Sequence, residues 1–245
     1  MGFFTFLALF LLPIFPFSLL TNRLLMLLRP KPFAFCMIIC FVLGGLLLHF
    51  VDTNFEIIKF LALFTLVFYS FRLLGVRDLR SFILYLFSTI ASLSWIWYFV
   101  GGDMLELIVT KGAVLALFLY LYGFLTKQYG IIHQKSIRGL GGAMPRWSIL
   151  FVLSLFALSS SIFFLGYEFF EIEFASLPIF YGVVLIISWV LINWGSVKVI
   201  EWLVYTEKKE DVELVDLSSF QLTLSLSVLV IVVIFTIFYN TRGLV

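Results

Sequence analysis

The chain has 245 residues, a formal net charge of +2, 63% hydrophobic and 12% charged residues, and a mean hydropathy of +1.16. A soluble domain carries about a quarter charged residues, so water cannot solvate the outside of this chain, but lipid can. The basic residues are scattered over separate connections, which excludes a nucleic-acid surface, and a net charge this small selects no partner.

Spanning helices need about 20 mostly apolar residues, and eight runs meet that description: residues 2–20, 33–51, 57–74, 81–100, 105–125, 147–165, 177–200 and 220–239. The first run lacks the basic start of a signal peptide, and Pro13 and Pro16 interrupt it, so it reads as a retained and kinked first helix. Cys36 and Cys40 lie four apart in the second run with no His nearby, and read as small packing residues on one helix face, not as a metal site or disulfide. With no linker, repeat or low-complexity tract, the expected fold is one domain, an all-α polytopic transmembrane helix bundle of about eight spans. Ser88, Ser92 and Gly112 mark faces expected to pack on protein.

Charges on the connections give a topology. Arg23, Arg29 and Lys31 mark the first connection, Arg72, Arg77, Asp78 and Arg80 the third, and Lys127, His133, Lys135, Arg138 and Arg146 the fifth. Even connections are acidic: Asp52 and Glu56, then Asp103 and Glu106, then Glu168, Glu171 and Glu173. Lys and Arg resist translocation, so the odd connections face the cytoplasm or matrix and both termini the other side. The seventh, around residues 207–211, is mixed in sign, with Lys198, Lys208 and Lys209 compatible.

Ionisable groups inside a bilayer are costly and each needs a reason. Lys111 lies about two turns into an otherwise apolar or small run. It is either a protonatable group on an ion pathway or a side chain snorkelling towards the acidic connection that holds Glu106. Lys59 and Arg72, at opposite ends of the third run, read as interfacial anchors, and His49 as an interface residue beside Asp52. Glu168 and Glu171 could sit in a broken helix or in a solvated acidic turn. No catalytic residue set, cofactor-binding glycine loop or metal-ligand set is present in the sequence; the stretch Gly139–Leu140–Gly141–Gly142 alone is a common helix connection.

Four stretches, in shared order and spacing, carry a resemblance. Val76–Arg77–Asp78–Leu79–Arg80 followed by Phe82–Ile83–Leu84–Tyr85 is similar to the segment "QTDLKRLIAY", and Thr110–Lys111–Gly112 to a central "SHG" tripeptide. Gly139–Leu140–Gly141–Gly142–Ala143–Met144–Pro145 is similar to "GGLxxxMP", and Val215–Asp216–Leu217 to the "DLxxxE" start of a terminal helix. From about Phe33 onward the chain thus resembles the antiporter-like membrane subunits of respiratory complex I, subunit-4 (NuoM) type, in their C-terminal part or a shortened form.

That resemblance implies a membrane-arm subunit of a complex I-like NADH:quinone (ubiquinone) oxidoreductase, itself without redox cofactor. Its partners would be other membrane-arm subunits, lipids, and a separate chain supplying the missing N-terminal helices. Its location would be a mitochondrial inner membrane, or alternatively a bacterial plasma membrane. The proton-pathway candidates it implies are Lys111 in place of a central His, Glu168 or Glu171 in place of a "GE" carboxylate, and Arg80 in place of a helix lysine. Arg80 cannot release its proton, and the uncharged stretch at residues 41–45 stands where "LLKxGxYG" has a lysine. A relay broken twice implies a structural or partly vestigial role. The alternatives are an ion-antiporter subunit of the Mrp or membrane-bound hydrogenase kind, and an unrelated small transporter or scaffold.

Overall fold

The computed structural model describes residues 2–51, 56–129, 139–159, 178–204 and 215–242. These residues contain ten helices: α1 (Phe3–Leu11), α2 (Phe17–Leu27), α3 (Pro30–Leu48), α4 (Glu56–Leu74), α5 (Leu79–Phe99), α6 (Met104–Tyr129), α7 (Leu140–Ala143), α8 (Pro145–Leu158), α9 (Ile179–Val204) and α10 (Ser219–Arg242). Among the described residues there is no strand. Six of the helices, α3, α4, α5, α6, α9 and α10, are long and apolar enough to cross a membrane. The all-α polytopic bundle expected from the hydropathy is therefore the fold.

Two of the eight runs depart from the expected single long helix. The run at residues 2–20 is not a kinked helix but two short ones, α1 ending at Leu11 and α2 starting at Phe17. Each proline removes a backbone donor and disfavours helical geometry in the residue before it. Leu12, before Pro13, is accordingly non-helical at φ −102° and ψ 82°. With Pro16 close behind, the helix has no room to resume between them. The run at 147–165 is described only as α8, its remainder lying outside the described residues. Charges move with the boundaries: Arg23 belongs to α2, Lys31 to the first turn of α3, and Lys198 to the interior of α9, leaving Arg29 between α2 and α3.

At the centre stand α5 and α6, whose faces are mostly buried, while α3, α9 and α10 turn much of their surface outward. Four hydroxyl side chains of α5 bond within the helix: Ser88 donates to the Leu84 carbonyl, Thr89 to Leu86, Ser92 to Ser88 and Ser94 to Ile90. Satisfied in this way, they are small groups over which neighbouring helices approach closely. Ser88, Ser92 and Gly112 are buried on protein-facing surfaces, as their small size predicts. The α4–α5 turn is closed by Asp78, whose carboxylate accepts the Ser81 N–H at 2.8 Å and caps α5.

Helix α3 lies between α1 and α6, and α4 between α5 and α9. Adjacent glycines make the first arrangement possible. A Cβ on Gly44 would sit 2.6 Å from Leu12 Cγ, and one on Gly45 would sit 2.8 Å from Ile108 of α6.

Candidate functional site

Lys111 is brought inside the bundle by the antiparallel seam between α6 and α8. At one end of the seam the Trp147 indole N–H donates to the Leu121 carbonyl at 2.9 Å. Further along, Phe151 stacks with Trp147 and packs on Phe118, both at 4.8 Å between ring centroids. As α8 advances from Trp147 through Phe151 to Ala157, α6 is met in reverse order, at Leu121, Phe118 and then Lys111. The register is therefore set by aromatic packing, and its far end places the Lys111 ammonium on the Ala157 carbonyl, 2.9 Å away.

Lys111 is 7% exposed. Its ammonium is thus held within the protein against the last turn of α8, where backbone carbonyls lack intrahelical donors and the helix dipole is negative. Thr110 turns inward and bonds its own helix at the Glu106 carbonyl, 2.7 Å away. Glu106 is also buried, near the start of α6. What Lys111 can do chemically follows from its type: an ammonium can donate and recover a proton, and a carbonyl can only hold it.

Arg80 occupies a different place. One Nη2 donates to the Leu25 carbonyl at 2.9 Å and also to the Leu28 carbonyl, and the guanidinium lies over the Phe33 ring, 4.8 Å from its centroid. It closes the C-terminal end of α2 and ties that end to α5 and α3. Its Nε is buried without an acceptor among the described residues. Glu168 and Glu171, the two carboxylate candidates, lie outside the described residues, as does Glu173. Of the four sequence-derived site residues, the structure describes Lys111 and Arg80, which bond the C-terminal ends of two different helices, α8 and α2.

Several functional contacts carry no sequence signal. Between α1 and α2 the unwound backbone is held by side chains from other helices: Phe15 N–H donates to Thr65 Oγ1 at 2.7 Å, and the Leu12 carbonyl accepts the Trp95 indole N–H at 2.9 Å. Irregular backbone away from water survives where protein satisfies it in this way. Just beyond, Asn22 Nδ2 donates to Ser88 Oγ at 3.0 Å, a buried polar pair joining α2 to α5.

Lys198 donates to the Leu74 carbonyl at 2.6 Å, so a third cation closes a third helix end, that of α4. One turn earlier Gly195 lets α9 reach α4: a Cβ there would lie 3.0 Å from that of Leu73. Asp216 accepts the Arg146 and Trp147 N–H groups, each at 3.0 Å, and so caps α8 from the segment that leads into α10. The stretch 215–217, which carried part of the family resemblance, thus meets the two residues that follow the stretch 139–145. The meeting is long-range in sequence, and no local pattern announces it. Among the described residues no group of three His, Cys, Asp or Glu could hold a metal ion.

No protein-family profile matches the chain, and no curated protein matches it in sequence. Solved structures do match in fold. A chain of respiratory complex I from Thermus thermophilus with bound NADH superimposes with a TM-score of 0.71 at 16% identity, over 98% of this chain and 56% of that one. A chain of the membrane-bound sulfane sulfur reductase, an archaeal respiratory membrane complex, gives 0.77 at 12% identity, over 96% of this chain and 53% of that one. This chain therefore spans little more than half the length of either. At these identities the likeness is one of fold.

Proposed function

We propose that this chain is a membrane-arm subunit of a complex I-like NADH:quinone oxidoreductase, structural or partly vestigial in proton translocation. Superposition of nearly the whole chain on part of a respiratory complex I chain carries the reading. The vestigial element is supported by Arg80, which stands where the resembled family has a titratable lysine and is engaged in closing α2. Its permanent charge suits a cap and not a relay. Lys111 is then a candidate that could exchange a proton, with Glu168 and Glu171 as its carboxylate partners in the pathway. A separate chain is the proposed partner that supplies further N-terminal helices. A mitochondrial inner membrane is the proposed location, with a bacterial plasma membrane as the alternative.

The second reading, an ion-antiporter subunit of the Mrp or hydrogenase kind, is favoured by the likeness to a chain of an archaeal respiratory membrane complex described as a sulfane sulfur reductase. One experiment separates the two. The chain, tagged in its native membrane, is solubilised and resolved by size, and the fraction is assayed for NADH oxidation with a quinone acceptor. Co-migration with a large NADH-oxidising assembly is expected. Co-migration with an assembly inert to NADH favours the antiporter reading, and migration of the chain alone rejects both.

A further inference from the structure

An open groove of about 940 Å³ runs along the seam between α3 and α6 and reaches the start of α10. Its floor is made by small residues, Ala34, Ala116 and Gly123, and its walls are apolar or aromatic, Phe35 and Tyr120 among them. Lys31 and Lys127 stand at its mouth, at the N-terminal end of α3 and the C-terminal end of α6. From Lys127 to Ala116 the groove follows α6 for about 16 Å at the helical rise. The two lysines are exposed, and among the described residues neither has a carboxylate partner. Arg23 and Arg29, also exposed, lie in the same stretch of chain, just ahead of α3.

We infer that this groove binds an anionic phospholipid, its phosphate between Lys31 and Lys127 and one acyl chain along the α3–α6 seam. Charge selects this occupant over a helix of a partner protein. An apolar helix laid here would bury two uncompensated ammonium groups, whereas a phosphate neutralises them. Lysine stems lie along apolar surface while their heads stay at the headgroup level, as the position of both residues at helix ends allows. Both cations also lie at helix ends next to connections that the charge asymmetry assigns to the cytoplasmic or matrix side, where anionic lipid attracts basic segments. Gly123 opens the groove: a Cβ there would meet nothing within 4 Å.

The test uses the full chain purified in mild detergent with whatever subunits accompany it. Equal amounts of phosphatidylglycerol and phosphatidylcholine are added, and bound lipid is read by native mass spectrometry. Phosphatidylglycerol is expected to be retained preferentially, and the double variant Lys31→Gln, Lys127→Gln to lower its retention roughly ten-fold. Gly123→Leu fills the groove, leaves both charges in place and has open space to occupy, so it should cause a comparable loss without unfolding. A photoreactive side chain at Ala116 should crosslink to lipid. Unchanged phosphatidylglycerol retention in Gly123→Leu, equal retention of the two lipids, or a crosslink from position 116 to polypeptide would each overturn the assignment.

Discussion

Among the helix ends that receive a cation from another helix, those of α2 and α8 differ in the chemistry of the cation. At the end of α2 it is Arg80, a planar donor that serves two carbonyls and lies over the Phe33 ring. At the end of α8 it is Lys111, a single ammonium on the Ala157 carbonyl. A guanidinium stays charged and its fork geometry suits several acceptors at once; an ammonium is a compact donor that can lose its proton. The C-terminal end of α2 is therefore built as a permanent fastening, while at its other end the broken backbone between α1 and α2 is held by Thr65 and Trp95. The α8 end combines the same capping physics with a group that can titrate. Position in the bundle alone thus does not make a buried cation a relay.

Replacing the fastening should have the largest effect. Arg80→Leu leaves the Leu25 and Leu28 carbonyls without their charged donor, at a cost of order 3 kcal/mol. Steady-state abundance of the chain in its membrane should fall sharply, and Arg80→Lys should recover part of it by reaching one carbonyl. If Arg80→Leu accumulates normally, the contrast between the two ends fails.

Thr65→Val removes the acceptor of the Phe15 N–H while preserving shape, and should destabilise by about 1–2 kcal/mol. A lowered unfolding midpoint of the solubilised assembly, without loss of the assembled state, checks it. Asp216→Ala strips the cap from α8 and should cost about 1 kcal/mol. Because that cap sits at the far end of α8 from Ala157, protease access near residue 145 should rise more than access near Lys111.

The long apolar runs, and with them most of the bundle, were legible because hydropathy is a local property. The break at Pro13 and Pro16 was half legible. Prolines announce a disturbed helix, but whether it bends or separates into two depends on Thr65 and Trp95, dozens of residues away in sequence, being there to receive the freed backbone groups. Lys111 was visible as a charge in an apolar run. Its partner was not, because a backbone carbonyl has no residue signature, and the register that delivers Ala157 is set by Trp147 and Phe151 stacking along α6. Lys198 was grouped with the seventh connection although it lay within the run 177–200, and its contact with Leu74 could not be foreseen because a backbone carbonyl has no residue signature. Asp216 was noted as the opening of the last helix, whereas its carboxylate serves α8.

The smallest expected effect bears on the central claim, that this chain is structural or partly vestigial in proton translocation. The measurement is proton-pumping stoichiometry of the intact assembly carrying Lys111→Met, with Lys111→Arg beside it and assembly monitored in both. On the proposed reading, Arg80, committed to α2, and the uncharged stretch at residues 41–45 interrupt the relay that Lys111 would serve. Lys111→Met should therefore lower assembly or stoichiometry only slightly, and Lys111→Arg, which keeps a cation for Ala157, less still. Abolished pumping in Lys111→Met with the assembly intact would contradict the account and make this chain a working proton channel.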